Sequence, residues 1–103
     1  MPILTPGRIR HSVVFSLAHE PGSGAEADFV AAITELEQIP GVEAFELMRE
    51  VSPKNDYDFG LTMEFADESA YSAYNDHPQH VSFVADRWDS EVTAFLEIDT
   101  VSR

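Results

Sequence analysis

Apolar and polar residues alternate along much of the chain, and the period of the alternation switches in a definite order. Across residues 57–65, Tyr57, Phe59, Leu61, Met63 and Phe65 alternate with Asp58, Gly60, Thr62 and Glu64. That is the two-residue period of a strand with one buried face. Residues 8–17 repeat it, with Ile9, His11, Val13, Phe15 and Leu17 on one face and Arg10, Ser12, Val14 and Ser16 on the other. Residues 42–51, with Phe45 and Leu47 sharing a face, and residues 91–100, with Val92, Ala94, Leu96 and Ile98 sharing a face, predict two more strands.

Between the first two strands the period changes. Phe29, Ile33 and Leu36 recur at i, i+4 and i+7 within residues 26–38, which predicts a helix, and Glu26, Glu35 and Glu37 fall mostly off that stripe. Pro21 and two glycines mark the loop before it, and Pro40-Gly41 ends it in a turn. Residues 52–56 read as a hairpin loop. Asp67 is placed to cap a short helix over residues 68–75. His77-Pro78 then breaks the pattern, and Pro78 suits the first turn of a new helix reaching about residue 88, with Val81, Val84 and Trp88 as its apolar stripe.

The resulting order is β-α-β-β-α-β. It predicts an α+β, ferredoxin-like domain: one antiparallel four-stranded sheet with helices on one face. Residues 1–7, with Pro2 and Pro6, are expected to form an N-terminal tail, and residues 8–103 a single domain. The second sheet face is expected to carry Val14, Met48 and Phe95 among Glu46, Thr62, Glu64 and Glu97. Such a face is too apolar for bulk solvent and too polar for a dry core. A face-to-face homodimer fits both properties. A monomer with a few exposed apolar groups is the competing reading.

Composition narrows the function classes. With 103 residues, 44% of them hydrophobic, the chain has enough for one domain with a real core. It has no cysteine, so disulfides, thiolate nucleophiles and Cys-ligated zinc are excluded. Nineteen acidic residues against six basic ones give a formal charge of −13, which disfavours nucleic acid and anionic membrane surfaces as partners. No apolar run is long enough to span a bilayer, and the first ten residues lack a signal-peptide core, so a cytoplasmic protein is expected.

Chemistry-bearing residues concentrate in residues 70–88, which hold two tyrosines, two of the four histidines and the helix break. Histidine titrates near neutrality and is the commonest general base. A phenol donates to a carbonyl or enolate oxygen. Tyr74 and His80 flank the break and are expected to line one cavity, and His11 points toward the helices from the first strand. The competing reading is structural, with His11 bonded to His80, Tyr74 or a backbone carbonyl. His77 and His80, beside Asp76, lack a third ligand at any recognisable metal spacing, and His77 is expected to cap the helix after the break. His19 is expected to be exposed. No glycine-rich phosphate loop or nucleophile elbow is present.

Five ordered stretches carry a family resemblance: Arg10-His11-Ser12-Val13-Val14-Phe15, Ile39-Pro40-Gly41-Val42, Tyr57-Asp58-Phe59-Gly60-Leu61, Tyr74-Asn75-Asp76-His77-Pro78-Gln79-His80-Val81 and Phe95-Leu96-Glu97-Ile98-Asp99. With these the chain resembles the stress-responsive dimeric α/β-barrel (Dabb) family over roughly residues 9–99. The resemblance implies a homodimer whose sheets pack into a central barrel. It implies no single reaction and no cofactor. One plant branch, the olivetolic acid cyclase type, closes a polyketide ring by aldol condensation. In it a Tyr and a His flanking the same His-Pro break act as the acid/base pair, at positions matched here by Tyr74 and His80, and a first-strand His matched by His11 lines the pocket. A further pocket histidine of that branch is replaced here by Phe59. The candidate ligand-lining set is His11, Phe59, Tyr74 and His80, with Trp88 added from the helix after the break, where core or interface packing is the competing reading. Three functions stay open: binding a small apolar or aromatic ligand, cofactor-free cyclase or lyase chemistry, and a purely structural role.

Overall fold

Two flanking strands pair antiparallel with β1 (Ile9–Leu17): β3 (Phe59–Phe65) on one side and β4 (Val92–Val101) on the other. β2 (Glu43–Arg49) joins the outer edge of β3, giving the order β2-β3-β1-β4. This arrangement, seen in a computed structural model, describes residues 3–103; the Met1 and Pro2 portion of the expected tail lies outside the described residues. The helices are α1 (Gly24–Thr34), continued by a 3₁₀ turn Glu35–Gln38, then α2 (Glu68–Asp76) and α3 (Pro78–Phe83). From α3 the chain passes through a π-helical turn, Val84–Trp88, and a last helical turn, Asp89–Glu91, into β4.

The alternation reads directly onto β1 and β3, whose residues switch between buried and half-buried at every step. Their inward residues meet the helices. Phe15 packs on Phe29 of α1 at 6.0 Å between ring centroids, and Phe65 packs on Tyr74 of α2 at 5.1 Å. Phe15, Phe29, Phe65, Ile33, Ile39 and Met63 are fully buried. Each such side chain contributes about 2 kcal/mol by leaving water.

α1 starts two residues before the expected boundary. The Ser23 hydroxyl accepts from the Glu26 N–H (3.2 Å), and the Glu26 carboxylate reaches back to accept from the Gly22 N–H (3.1 Å). This is a variant of the capping box in which Glu26 serves the residue before the N-cap, and it tolerates Gly24 as the first helical residue. After the helix, Gly41 takes φ +92°, a left-handed turn that glycine enters without strain. β3 starts two residues later than expected, because the Asp58 side chain bonds the Leu17 N–H (3.1 Å) and ties off the loop.

Two orientations differ from the sequence expectation. Strand register sets His11 opposite Asp99, Val13 opposite Glu97 and Phe15 opposite Phe95. Directly paired residues share a sheet face. Phe95 and Glu97 therefore face the helices, not the open side. The open side carries Leu96 and Ile98 with Val14, Met48, Thr62 and Glu64. Alternation alone tells which residues travel together, but not toward which side. In α3, Phe83 rather than Val81 is buried: it packs on Phe29 at 5.7 Å, while Val81 is 53% exposed. The new helix takes its phase from the cap at His77, which turns Val81 outward.

Candidate functional site

The helix break builds the site. Asp67 caps α2 by accepting from the Ala70 N–H (2.8 Å). At the other end the His77 N–H donates to the Tyr74 carbonyl (3.1 Å), and the His77 ring nitrogen accepts from the Gln79 N–H (3.1 Å). His77 thus closes one helix and opens the next, as its expected capping role requires. Pro78 occupies the first turn of α3, where a backbone N–H is not needed. The bend carries His80 back over α2, and the Tyr74 and His80 rings lie 4.5 Å apart between centroids, tilted by 46°.

The His80 Nδ1 lies 3.1 Å from the Asn75 carbonyl oxygen. A carbonyl only accepts, so Nδ1 holds the hydrogen and donates it. In the neutral ring Nε2 is then left as an acceptor. Burial lowers the pKa of His80, opposing the bond to Asn75. Tyr74 is 2% exposed. No described residue bonds its hydroxyl, yet no fully sealed side-chain polar atom among the described residues lacks a partner, so this hydroxyl opens on the cavity. Burial, together with Tyr71 and the Glu97 carboxylate, pushes its pKa up, so the phenol keeps its proton.

His11 is buried, but its partners are not those expected. Its Nδ1 lies 2.6 Å from Asp99 Oδ1 and 3.1 Å from the Tyr71 hydroxyl, which itself donates to Asp99 Oδ2 at 2.9 Å. Burial and the Asp99 carboxylate hold the Tyr71 phenol protonated. The His11 and Tyr74 rings stand 6.5 Å apart between centroids and are tilted by 52°, with no hydrogen bond between them.

Together these groups enclose a cavity of about 290 Å³ between sheet and helices. Its walls include Val13, Ile33, Leu36, Leu61 and Phe83, and its polar groups include His11, Tyr74 and His80. Trp88, Phe95, Asp89 and Glu97 line another part. The π-helical turn lies along this stretch, a distortion that recurs at functional sites. The volume sits near the roughly 300 Å³ lower end of small-molecule sites.

Four of the five ligand-lining residues named from sequence thus converge: His11, Tyr74, His80 and Trp88. Phe59 does not line the cavity. It is buried against Phe15 at 5.4 Å, with the Arg49 guanidinium 4.8 Å over its ring. Tyr71 and Asp99 escaped the sequence reading. A signal for Tyr71 existed in its i, i+3 spacing to Tyr74; Asp99 meets His11 only through strand register. His19 is half-buried rather than exposed, its Nε2 2.6 Å from a Glu91 oxygen that belongs to an ion-pair network with Arg87 and Asp28. Among the described residues no three His, Asp or Glu side chains converge as a metal site, and no helix is long and apolar enough to cross a membrane.

The fold and the cavity define a ferredoxin-like α+β protein with a cavity between its sheet and its helices. The chain belongs to the Stress responsive A/B Barrel Domain (Dabb) family, whose sequence profile matches residues 9–102. It is similar to a Dabb-family protein of ferredoxin-like fold from Mesorhizobium loti: 56% identity, TM-score 0.91, 94% of this chain and 98% of that one covered. A dimeric ferredoxin-like protein of unknown function from Thermobifida fusca is similar at 18% identity and TM-score 0.74, covering 97% of this chain and 95% of that one. A hydroxynitrile lyase from Passiflora edulis shares the fold at 13% identity and TM-score 0.80, covering 96% of each chain. No curated protein matches the sequence.

Proposed function

We propose that this chain works as a homodimer that binds a small, largely apolar molecule with a carbonyl or hydroxyl oxygen in the cavity of each subunit. One observation carries the ligand: Tyr74 is 2% exposed, and its protonated hydroxyl opens on the cavity without a bond from any described residue. A hydroxyl open on the cavity is free to donate to a ligand oxygen, and a hydrogen bond of this kind contributes about 0.5–1.5 kcal/mol net of the water it replaces. The apolar walls would supply the rest of the affinity. The dimer is supported by Leu96 and Ile98, each 51% exposed on the open sheet face, and by the dimeric Thermobifida fusca relative.

The chain has a single tryptophan, and it lines the cavity. Titration with phenols and aryl ketones is therefore expected to shift Trp88 fluorescence saturably in the native protein and weakly in Tyr74→Phe. A flat response to every compound overturns the ligand reading.

A second reading is favoured by the pairing of His80 and Tyr74. The His80 Nε2 would take a proton alpha to a ligand carbonyl, the C–H electron pair would form the enolate C=C bond as the C=O π pair moves onto oxygen, and the Tyr74 hydroxyl would donate to that oxyanion. This needs no cofactor and suits a cyclase or aldol-type reaction. The Passiflora edulis lyase is an enzyme on the same fold. Exchange of the alpha hydrogens of a bound ketone in D₂O, followed by NMR, tests it; exchange no faster than in His80→Asn leaves binding alone.

A further inference from the structure

The cavity's charge has a consequence for what it binds, given that it is a ligand site. We propose that the cavity takes an uncharged ligand and rejects anions, with Glu97 and Asp89 as the residues that set this choice. The lining holds these two carboxylates and neither lysine nor arginine. Glu97 belongs to the site by register, opposite Val13 on the helix-facing side of β4. Neither carboxylate forms an ion pair among the described residues.

Four of the six basic residues are engaged elsewhere, and the other two, Lys54 and Arg103, do not line the cavity. Arg8 and Arg10 pair with Glu43 and Glu64, Arg49 with Glu26, and Arg87 with Asp28 and Glu91. The histidines do not supply it. His80 gives its Nδ1 hydrogen to a backbone carbonyl in a setting that favours the neutral ring, and His11 already faces the Asp99 carboxylate at 2.6 Å.

Two acidic residues at a rim would by themselves be an ordinary solvated surface. The second observation is Tyr74, a side chain only 2% exposed whose hydroxyl opens on the same cavity with no bond from a described residue. A ketone, ester or hydroxyl oxygen satisfies that donor without adding charge. A carboxylate or phosphate also accepts, but its charge would then sit near Glu97 and Asp89, two exposed carboxylates whose repulsion is felt through solvent and weakens with added salt. The field of Glu97 already reaches both Tyr74 and His80, favouring the protonated form of each.

The test is a matched series on the intact protein, read by Trp88 fluorescence and calorimetry at neutral pH and low salt: methyl 4-hydroxybenzoate, 4-hydroxybenzoate and tyramine. The ester is expected to bind at least about tenfold tighter than the carboxylate. Glu97→Gln, alone and with Asp89→Asn, is expected to tighten the carboxylate several-fold and leave the ester nearly unchanged, and added salt to narrow the gap in the native protein. Equal affinity for ester and carboxylate overturns charge selection, as does a ratio that neither variant moves. Tyramine binding about tenfold tighter than the ester overturns the uncharged class. Failure of all three compounds to bind removes the ligand site itself, a different result from binding without selection.

Discussion

The imidazole Nδ1 of His11 lies 2.6 Å from the carboxylate of Asp99, the residue directly opposite it on the adjoining strand. A carboxylate accepts only, so the hydrogen sits on Nδ1 and the ring is held in one orientation. Tyr71 strengthens the arrangement by donating to the other carboxylate oxygen from α2. Two strands and a helix thus fix one side chain of the cavity, which is the usual way a site on regular elements gains precision.

Removing the carboxylate tests that support. Asp99→Ala is expected to cost about 1 kcal/mol in urea unfolding, because a charge-assisted bond is lost from a half-exposed residue. The freed His11 ring is expected to populate both tautomers, visible in the nitrogen shifts of the imidazole, and ligand affinity to fall several-fold. An unchanged tautomer with unchanged affinity shows that Asp99 does not position His11.

Tyr71 and Tyr74 are one turn apart on α2, yet opposite outcomes are expected on changing each to Phe. The Tyr71 hydroxyl bonds Asp99 and lies near His11, so Tyr71→Phe is expected to lose about 1 kcal/mol of stability. The Tyr74 hydroxyl has no bond from the described residues, so Tyr74→Phe is expected to leave thermal stability unchanged or slightly raised while weakening ligand binding about tenfold. If the two variants behave alike in both measurements, the division between a supporting and a ligand-facing tyrosine is wrong.

The contrast between these tyrosines also marks what a single sequence makes legible. Period-two patterning places the strands, and His77-Pro78 announces the break, because both are local signals with a local physical cause. Tyr74 and His80 come together through that break alone. Asp99, 88 residues from His11 in the sequence, becomes its partner through the pairing of β1 with β4. The facing of Phe95 and Glu97 has the same origin: Leu96 and Ile98 look like core by composition, but register turns them to the open side. No residue pattern within Val84–Trp88 announces its π-helical geometry.

Acid sensitivity should divide by group. Burial holds the folded pKa of His80 below its ordinary 6.5, so the unfolded chain binds the proton more readily. Stability from this source is complete above about pH 6.5 and falls as the pH drops from there toward the folded pKa. Glu64 is held below its ordinary 4.5 by hydrogen bonds from Arg8 and then Arg10, so its contribution is lost only further down, below about pH 4.5. Urea midpoints of the native protein and His80→Asn, compared across this range, are expected to converge between neutrality and mild acid and then fall in parallel. A constant offset through that interval would falsify the assignment to His80.

The open sheet face supplies the last expectation. Leu96 and Ile98 stand half-exposed there beside Val14, Met48 and Thr62, while the cavity lies on the other side of the sheet. Changing Leu96 and Ile98 together to Lys is therefore expected to yield a monomer by light scattering, with Trp88 still reporting ligand if the two faces act independently. The same face explains an expected salt response. Each chain carries a formal charge of −13, so two copies repel at long range even where their apolar residues match. Raising ionic strength screens that repulsion and leaves apolar burial in place, so the dimer should tighten with salt. Weakening with salt would instead assign the interface to cross-subunit ion pairs, with the Arg8, Arg10, Glu43 and Glu64 network as the first place to look.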